Sequence, residues 1–126
     1  MKILITGSRT INLREYVFYI LDKEISDGDF LIQGGANGVD NLVIEWCNSH
    51  KKDVNWNTIR PLDKTDKFSY LLRNVEMITM CDKVIAIWDG KSKGTKFTIN
   101  YAKARNKPVK IYNQEVLEEQ SSGDKK

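Results

Sequence analysis

The sequence predicts an open, doubly wound α/β sheet of five mainly parallel strands with flanking helices. Three observations predict it. Short apolar runs stop abruptly at glycine or another turn residue, stretches with helical periodicity separate them, and the 126 residues show neither an internal repeat nor a linker. Continuously apolar strands are buried on both faces, which is the habit of parallel strands.

Ile3 to Thr6 is the first such run, stopped by Gly7. Asn12 is placed to cap the next helix, with Glu15 three residues on as in a capping box, and Leu13, Val17, Ile20, Leu21 and Ile25 recur at helical spacing. Asp27-Gly28-Asp29 breaks the chain before a second run, Phe30-Leu31-Ile32, which Gly34-Gly35 ends. A helix from Val39 to His50 carries Val39, Val43, Trp46 and Cys47 on one face. Val54 to Ile59 is rich in β-formers, with Asn55 and Asn57 alternating, and reads as a third, less buried strand ended by Arg60-Pro61. The next helix runs from Asp66 to Met80, capped by Thr65, with Phe68, Leu71, Leu72, Val75 and Ile78 as its apolar stripe. Val84 to Trp88 is the fourth strand, Asp89 to Gly94 a loop, Phe97 to Arg105 a fourth helix and Pro108 to Tyr112 the fifth strand. Residues 1–112 are expected to form one domain and 113–126 a polar tail that frays from about Glu118.

Apolar residues are 40% of the chain and charged residues 29%, a soluble globular balance. The net charge of +3, from 20 basic and 17 acidic residues, lacks the excess expected of a groove for long nucleic acid. Cys47 and Cys81 form no pairing motif, no apolar run is long enough to span a bilayer, and the first run is too short for a signal sequence. The expected location is the cytoplasm. A single histidine, His50, and two scattered cysteines suggest no zinc set, and no cofactor is indicated.

In a sheet of this kind, ligands bind beside the carboxyl ends of the strands. The loops after strands one, two and four are unusual there: Gly7-Ser8-Arg9-Thr10, Gly34-Gly35-Ala36-Asn37-Gly38-Val39-Asp40, and Asp89-Gly90-Lys91-Ser92-Lys93-Gly94-Thr95. Glycine turns backbone N–H groups toward a ligand, and the helix that follows each loop favours an anion. Ser8, Ser92 and Thr95 add hydroxyls; Arg9 and Lys93 add charge. No loop matches a Walker A or a complete G-x-G-x-x-G pattern, so each alone is most simply a turn. Trp88 ends a strand at this rim and is placed either to pack or to stack on a base. Arg73-Asn74, in the third helix, reads from composition as a solvated face.

Taken in order, Gly-Ser-Arg, Gly-Gly-Ala-Asn-Gly-Val-Asp, Arg73-Asn74-Val-Glu-Met77 and Trp88-Asp89-Gly-Lys-Ser92-Lys-Gly94-Thr95 resemble the SLOG superfamily, nearest its YspA-like branch. The resemblance spans Met1 to Tyr112. It implies a Rossmann-like sheet with a nucleotide-related ligand on the rim, and it raises Arg73, Asn74 and Met77 to site residues. The superfamily includes LOG-type phosphoribohydrolases, DNA-binding DprA proteins and sensors of nucleotide signals. Thr98 stands where the LOG-type enzymes carry a glutamate, and threonine is a poor general acid or base.

The function expected on this reading is non-catalytic binding of a nucleotide-derived small molecule, an ADP-ribose derivative or cyclic nucleotide. The protein would act as a sensor or as a sequestering, anti-defence sponge. Nucleoside-monophosphate N-glycoside cleavage is the alternative, and single-stranded DNA binding of the DprA kind a weaker one. Nucleic acid and membrane are not expected partners. A homo-oligomer is, paired through the second or third helix, with Trp46 as the first suspect if a patch is left exposed.

Overall fold

The structure, a computed structural model, describes residues 1–113. The expected polar tail lies outside them, except that Asn113 closes the last strand. The elements alternate without exception: β1 (Lys2–Gly7), α1 (Arg14–Glu24), β2 (Phe30–Gln33), α2 (Val39–Asn48), β3 (Asn55–Thr58), α3 (Lys67–Met80), β4 (Lys83–Trp88), α4 (Lys93–Ala104) and β5 (Val109–Asn113). All strand pairs are parallel, in the order β3-β2-β1-β4-β5.

Side chains alternate across the sheet and so feed two cores. Ile3, Ile5, Leu31, Ile85 and Ile87 point to the layer of α1 and α2, where Val17, Leu21, Val43 and Trp46 close over them. Leu4, Ile32 and Val84 point to the layer of α3 and α4, meeting Met77, Ile78 and Ala102. The middle of each central strand is therefore continuously apolar, at Ile3 to Ile5, Leu31 to Ile32 and Val84 to Ile87, as the continuous runs predict. Strand β3 lies at one edge, and its Asn55 and Asn57 are exposed.

The helix starts depart from expectation. Asn12 caps nothing: α1 begins at Arg14 behind Leu13, with no side-chain cap. Ile11 is fully buried and its N–H donates to Ser8 O at 3.2 Å, which fixes the turn and leaves Asn12 in solvent. Asp66, not Thr65, caps α3, accepting from Phe68 N at 3.0 Å; the Thr65 hydroxyl is engaged with Asp63 at 2.6 Å. Helix α4 begins at Lys93, not Phe97, so Gly94 and Thr95 belong to its first turn. Trp46 is buried and donates to Asp22 at 2.9 Å, so it offers no exposed patch.

The strand order places the site. From β1 the chain first steps to β2 and β3, then returns to add β4 on the other side of β1. Gly7 stands in register with Ile87, so β1 and β4 end together and their outgoing loops diverge to opposite faces. A crevice opens where they part.

Candidate functional site: a basic trough at the carboxyl edge of the sheet

Gly34 is the hinge of the site. Its N–H donates to the Asp40 carboxylate at 3.2 Å, and its carbonyl accepts from the Arg73 guanidinium at 2.6 Å. Asp40, in the first turn of α2, also accepts from Ala36 N at 3.1 Å and so ties the turn after β2. A side chain at Gly34 would collide with the Arg73 guanidinium and press on Asp40. Gly38 has φ +76°, and its Cα faces the backbone of Ser8 and Arg9, so glycine is required twice over.

Arg73 is buried, with its guanidinium on Gly34 O, on Ile59 O at 3.3 Å and on the Asn74 side chain at 2.8 Å. These acceptors come from the residues just after β2 and β3 and from α3 itself, which is why a helix arginine can sit inside. Burial pushes the guanidinium below its ordinary value, Asp40 opposes that shift, and Arg9 adds to it. Burial also pushes Asp40 up to about 6, against the pull of the Ala36 N–H, Arg73, the Gly34 N–H and Arg9.

Two hollows join over this base. The first, about 210 Å³, is lined by Arg9, Gly34 to Asn37, Arg60, Lys64, Tyr70 and Arg73. The second, about 130 Å³, runs on past Gly7, Asp40, Asn74 and Met77 to Ser92, Gly94 and Thr95. Arg9, Ala36, Tyr70 and Arg73 border both, so the two form one trough. The Arg9 and Arg73 guanidiniums lie 5.3 and 5.5 Å from the centre of the Tyr70 ring.

Other expected site residues serve the scaffold. Ser8 is fully buried, and its hydroxyl accepts from Asp89 N at 3.0 Å, linking the loops after β1 and β4. Asp89 takes the N–H groups of Lys91 and Ser92 at 2.8 Å each and the Thr10 hydroxyl at 3.1 Å. Burial raises Asp89, but these bonds and Ser8 outweigh it and hold the carboxyl below its usual range. The Trp88 indole donates to Ser92 O at 3.0 Å, which ties it to its own loop rather than to the trough. Lys93 is exposed at the start of α4 and borders neither hollow. The Thr98 hydroxyl back-bonds to Gly94 O at 3.1 Å, on the trough wall.

The sequence reading missed Arg60, Lys64 and Tyr70. Signals for them existed. Arg60 and Lys64 follow β3 and so leave the same edge of the sheet, and Tyr70 is three residues before Arg73, on the same helix face.

No family model and no curated protein matches the chain. A solved structure of DNA processing protein A from Helicobacter pylori, described for its single-stranded DNA binding mode, is similar in fold. Its TM-score is 0.68 at 22% sequence identity, over 95% of this chain and 73% of that one. The likeness is one of fold: an all-parallel, Rossmann-like α/β sheet with flanking helices. Among the described residues no helix is long and apolar enough to cross a membrane.

Two expectations are corrected. The reading as a binder of a nucleotide-derived signal, with single-stranded DNA as the weaker choice, is overturned by likeness to a protein described for binding single-stranded DNA. The exclusion of nucleic acid fails with it. It rested on a net charge of +3, and net charge says nothing of how cations are distributed: Arg9, Arg60, Lys64 and Arg73 are gathered in one trough.

Proposed function

We propose that the trough binds single-stranded DNA. The observation that carries this reading is the convergence of Arg9, Arg60, Lys64 and Arg73 around Tyr70 in an open channel. Cations that track a backbone, beside an aromatic face that any base can stack on, are the recurring parts of single-strand sites. The hollows of about 210 and 130 Å³ continue into one another as a polymer requires. Likeness in fold to a protein described for this binding supports the same reading. The YspA-like pattern of motifs is part of the proposal: Gly34, Asp40 and Arg73 build the floor against which the backbone lies, and Arg9, Asn37, Ser92 and Thr95 face it.

The test is fluorescence anisotropy with labelled oligothymidylate and a duplex of equal length. Single strands are expected to bind more tightly than duplex, because stacking on Tyr70 needs an unpaired base. Tyr70→Ala is expected to lose about 1–3 kcal/mol, the usual worth of one base–aromatic stack. Binding of neither nucleic acid, or equal binding of wild type and Tyr70→Ala, would overturn the assignment.

A further inference from the structure

The trough does not end at Arg60 and Arg73. Both residues also border a third hollow, of about 310 Å³, whose other walls are Leu62, Ser69, Leu72 and Glu76. Ser69, Leu72, Arg73 and Glu76 recur at helical spacing, so they share one face of α3. Tyr70 adjoins that face on the far side of Arg73, within the trough. Leu62 belongs to the segment after β3 that also supplies Arg60 and Lys64 to the trough. A strand that leaves the trough past Arg60 therefore runs into this hollow.

The chemistry changes there. Beyond the two shared arginines the hollow offers two leucines, a hydroxyl and a carboxylate. Leu62 is 98% exposed and Leu72 49%, an apolar surface that the flat face of a base can lie against. Glu76 is exposed, and among the described residues it has no ion pair. A carboxylate accepts hydrogen bonds and donates none. It also repels phosphate, so the backbone of a strand stays on the arginine side and a base is what enters. The pairing edges of the bases differ in what they offer a carboxylate. Thymine presents a single N–H flanked by two carbonyls, and cytosine and adenine each present one amino group beside a ring acceptor. Guanine alone presents two adjacent donors, N1–H and the 2-amino group, which match the two carboxylate oxygens. In a single strand that edge is free.

We propose, resting on the reading of the trough as a single-strand site, that the third hollow is a guanine subsite in which the base lies against Leu62 and Leu72 and donates from N1–H and its 2-amino group to the Glu76 carboxylate. Arg60 and Arg73 stand between this base and the one stacked on Tyr70, where the intervening phosphate passes.

Competition measured by fluorescence anisotropy, with three short oligonucleotides of equal length, tests this. One is all thymidine, one carries a single central guanine, and one carries hypoxanthine in that place, which lacks the 2-amino donor. Wild type is expected to bind the guanine strand roughly tenfold more tightly than the thymidine strand, the usual worth of one bidentate base contact, with hypoxanthine in between. Glu76→Ala is expected to lose this ranking and to bind oligothymidylate more tightly than wild type does, because a negative charge beside the strand is gone. Glu76 is exposed and alanine suits a helix, so circular dichroism should show native helix content. A wild type that binds oligothymidylate without preferring guanine would overturn the subsite and leave the trough reading standing; binding of no strand would overturn both. A Glu76→Ala variant that keeps the guanine preference would show that Glu76 only repels phosphate, and would overturn the subsite as well.

Discussion

Asp40 holds the turn after β2 with a carboxylate that its surroundings disfavour as an ion. It is buried, and its acidity is shifted from an ordinary 3.8 to about 6. The folded state thus keeps a proton that the unfolded chain has released between those values. The stabilising contribution is complete below about pH 4 and is lost as the pH rises through about 6. At about 1.4 kcal/mol per pH unit the whole effect is on the order of 2–3 kcal/mol. Asn in place of Asp40 can still accept from Gly34 and Ala36 but does not titrate. The stability of wild type relative to Asp40→Asn, from urea unfolding, is therefore expected to fall between pH 4 and pH 7.5. A difference that stays constant over that range would show that Asp40 is not the buried titrating group. The variant serves as the reference because Asp89 and Glu24, both held low, shift stability in the opposite sense as acid is added. Gly34 is the second informative residue. A methyl group there meets the Arg73 guanidinium, so Gly34→Ala is expected to cost about 1–3 kcal/mol by overpacking, read as a lower urea midpoint.

Among the elements, the central strands were legible in the sequence and α3 was not. Ile3 to Ile5 and Val84 to Ile87 are buried at every position, and a strand covered on both faces leaves no choice of side to misjudge. Helix α3 has a choice. Of its predicted stripe, Phe68, Leu71 and Leu72 are largely in solvent, Val75 is half-buried and Ile78 is inside, beside Arg73 and Met77, which the stripe did not include. Local hydrophobicity ranks leucine above arginine. Arg73 is buried because Gly34 and Ile59, distant in sequence, present carbonyls to it, and no spacing rule within the helix reveals those partners. The cap was misplaced by one residue for a similar reason, since Thr65 and Asp66 are both good caps and Asp63 engages the threonine hydroxyl. The two are separable by substitution. Asp66→Ala is expected to lower stability by about 1 kcal/mol, and Thr65→Ala by roughly half that or less, in thermal unfolding. Equal losses would mean that the two residues share the capping.

For the molecule as a whole, the net charge of +3 conceals a local cluster of cations that the topology gathers. Asp29, Asp53 and Asp82 immediately precede or lie just before β2, β3 and β4, at the amino edge of the sheet, where Asp29 meets the N-terminal amine and Asp82 accepts from Lys2 N. Arg9, Arg60 and Lys64 follow β1 and β3, at the carboxyl edge. Strand direction gathers these cations in one place, and that could be read from the sequence once the strands were placed; a total over the chain erases it, because Lys2, Lys51, Lys52 and Lys83 lie toward the amino edge. The distinction is measurable. If single-stranded DNA follows the trough, the affinity should fall with salt, with a log–log slope of about −0.7 for each phosphate neutralised, so roughly −2 to −3 for three or four contacts. Arg60→Ala with Lys64→Ala should flatten that slope by about 1.4. Lys103→Ala with Arg105→Ala removes the same charge from the exposed carboxyl end of α4, which the helix places at the amino edge of the sheet, and should leave the slope unchanged. Equal flattening by the two pairs would mean that net charge, and not the trough, sets the binding.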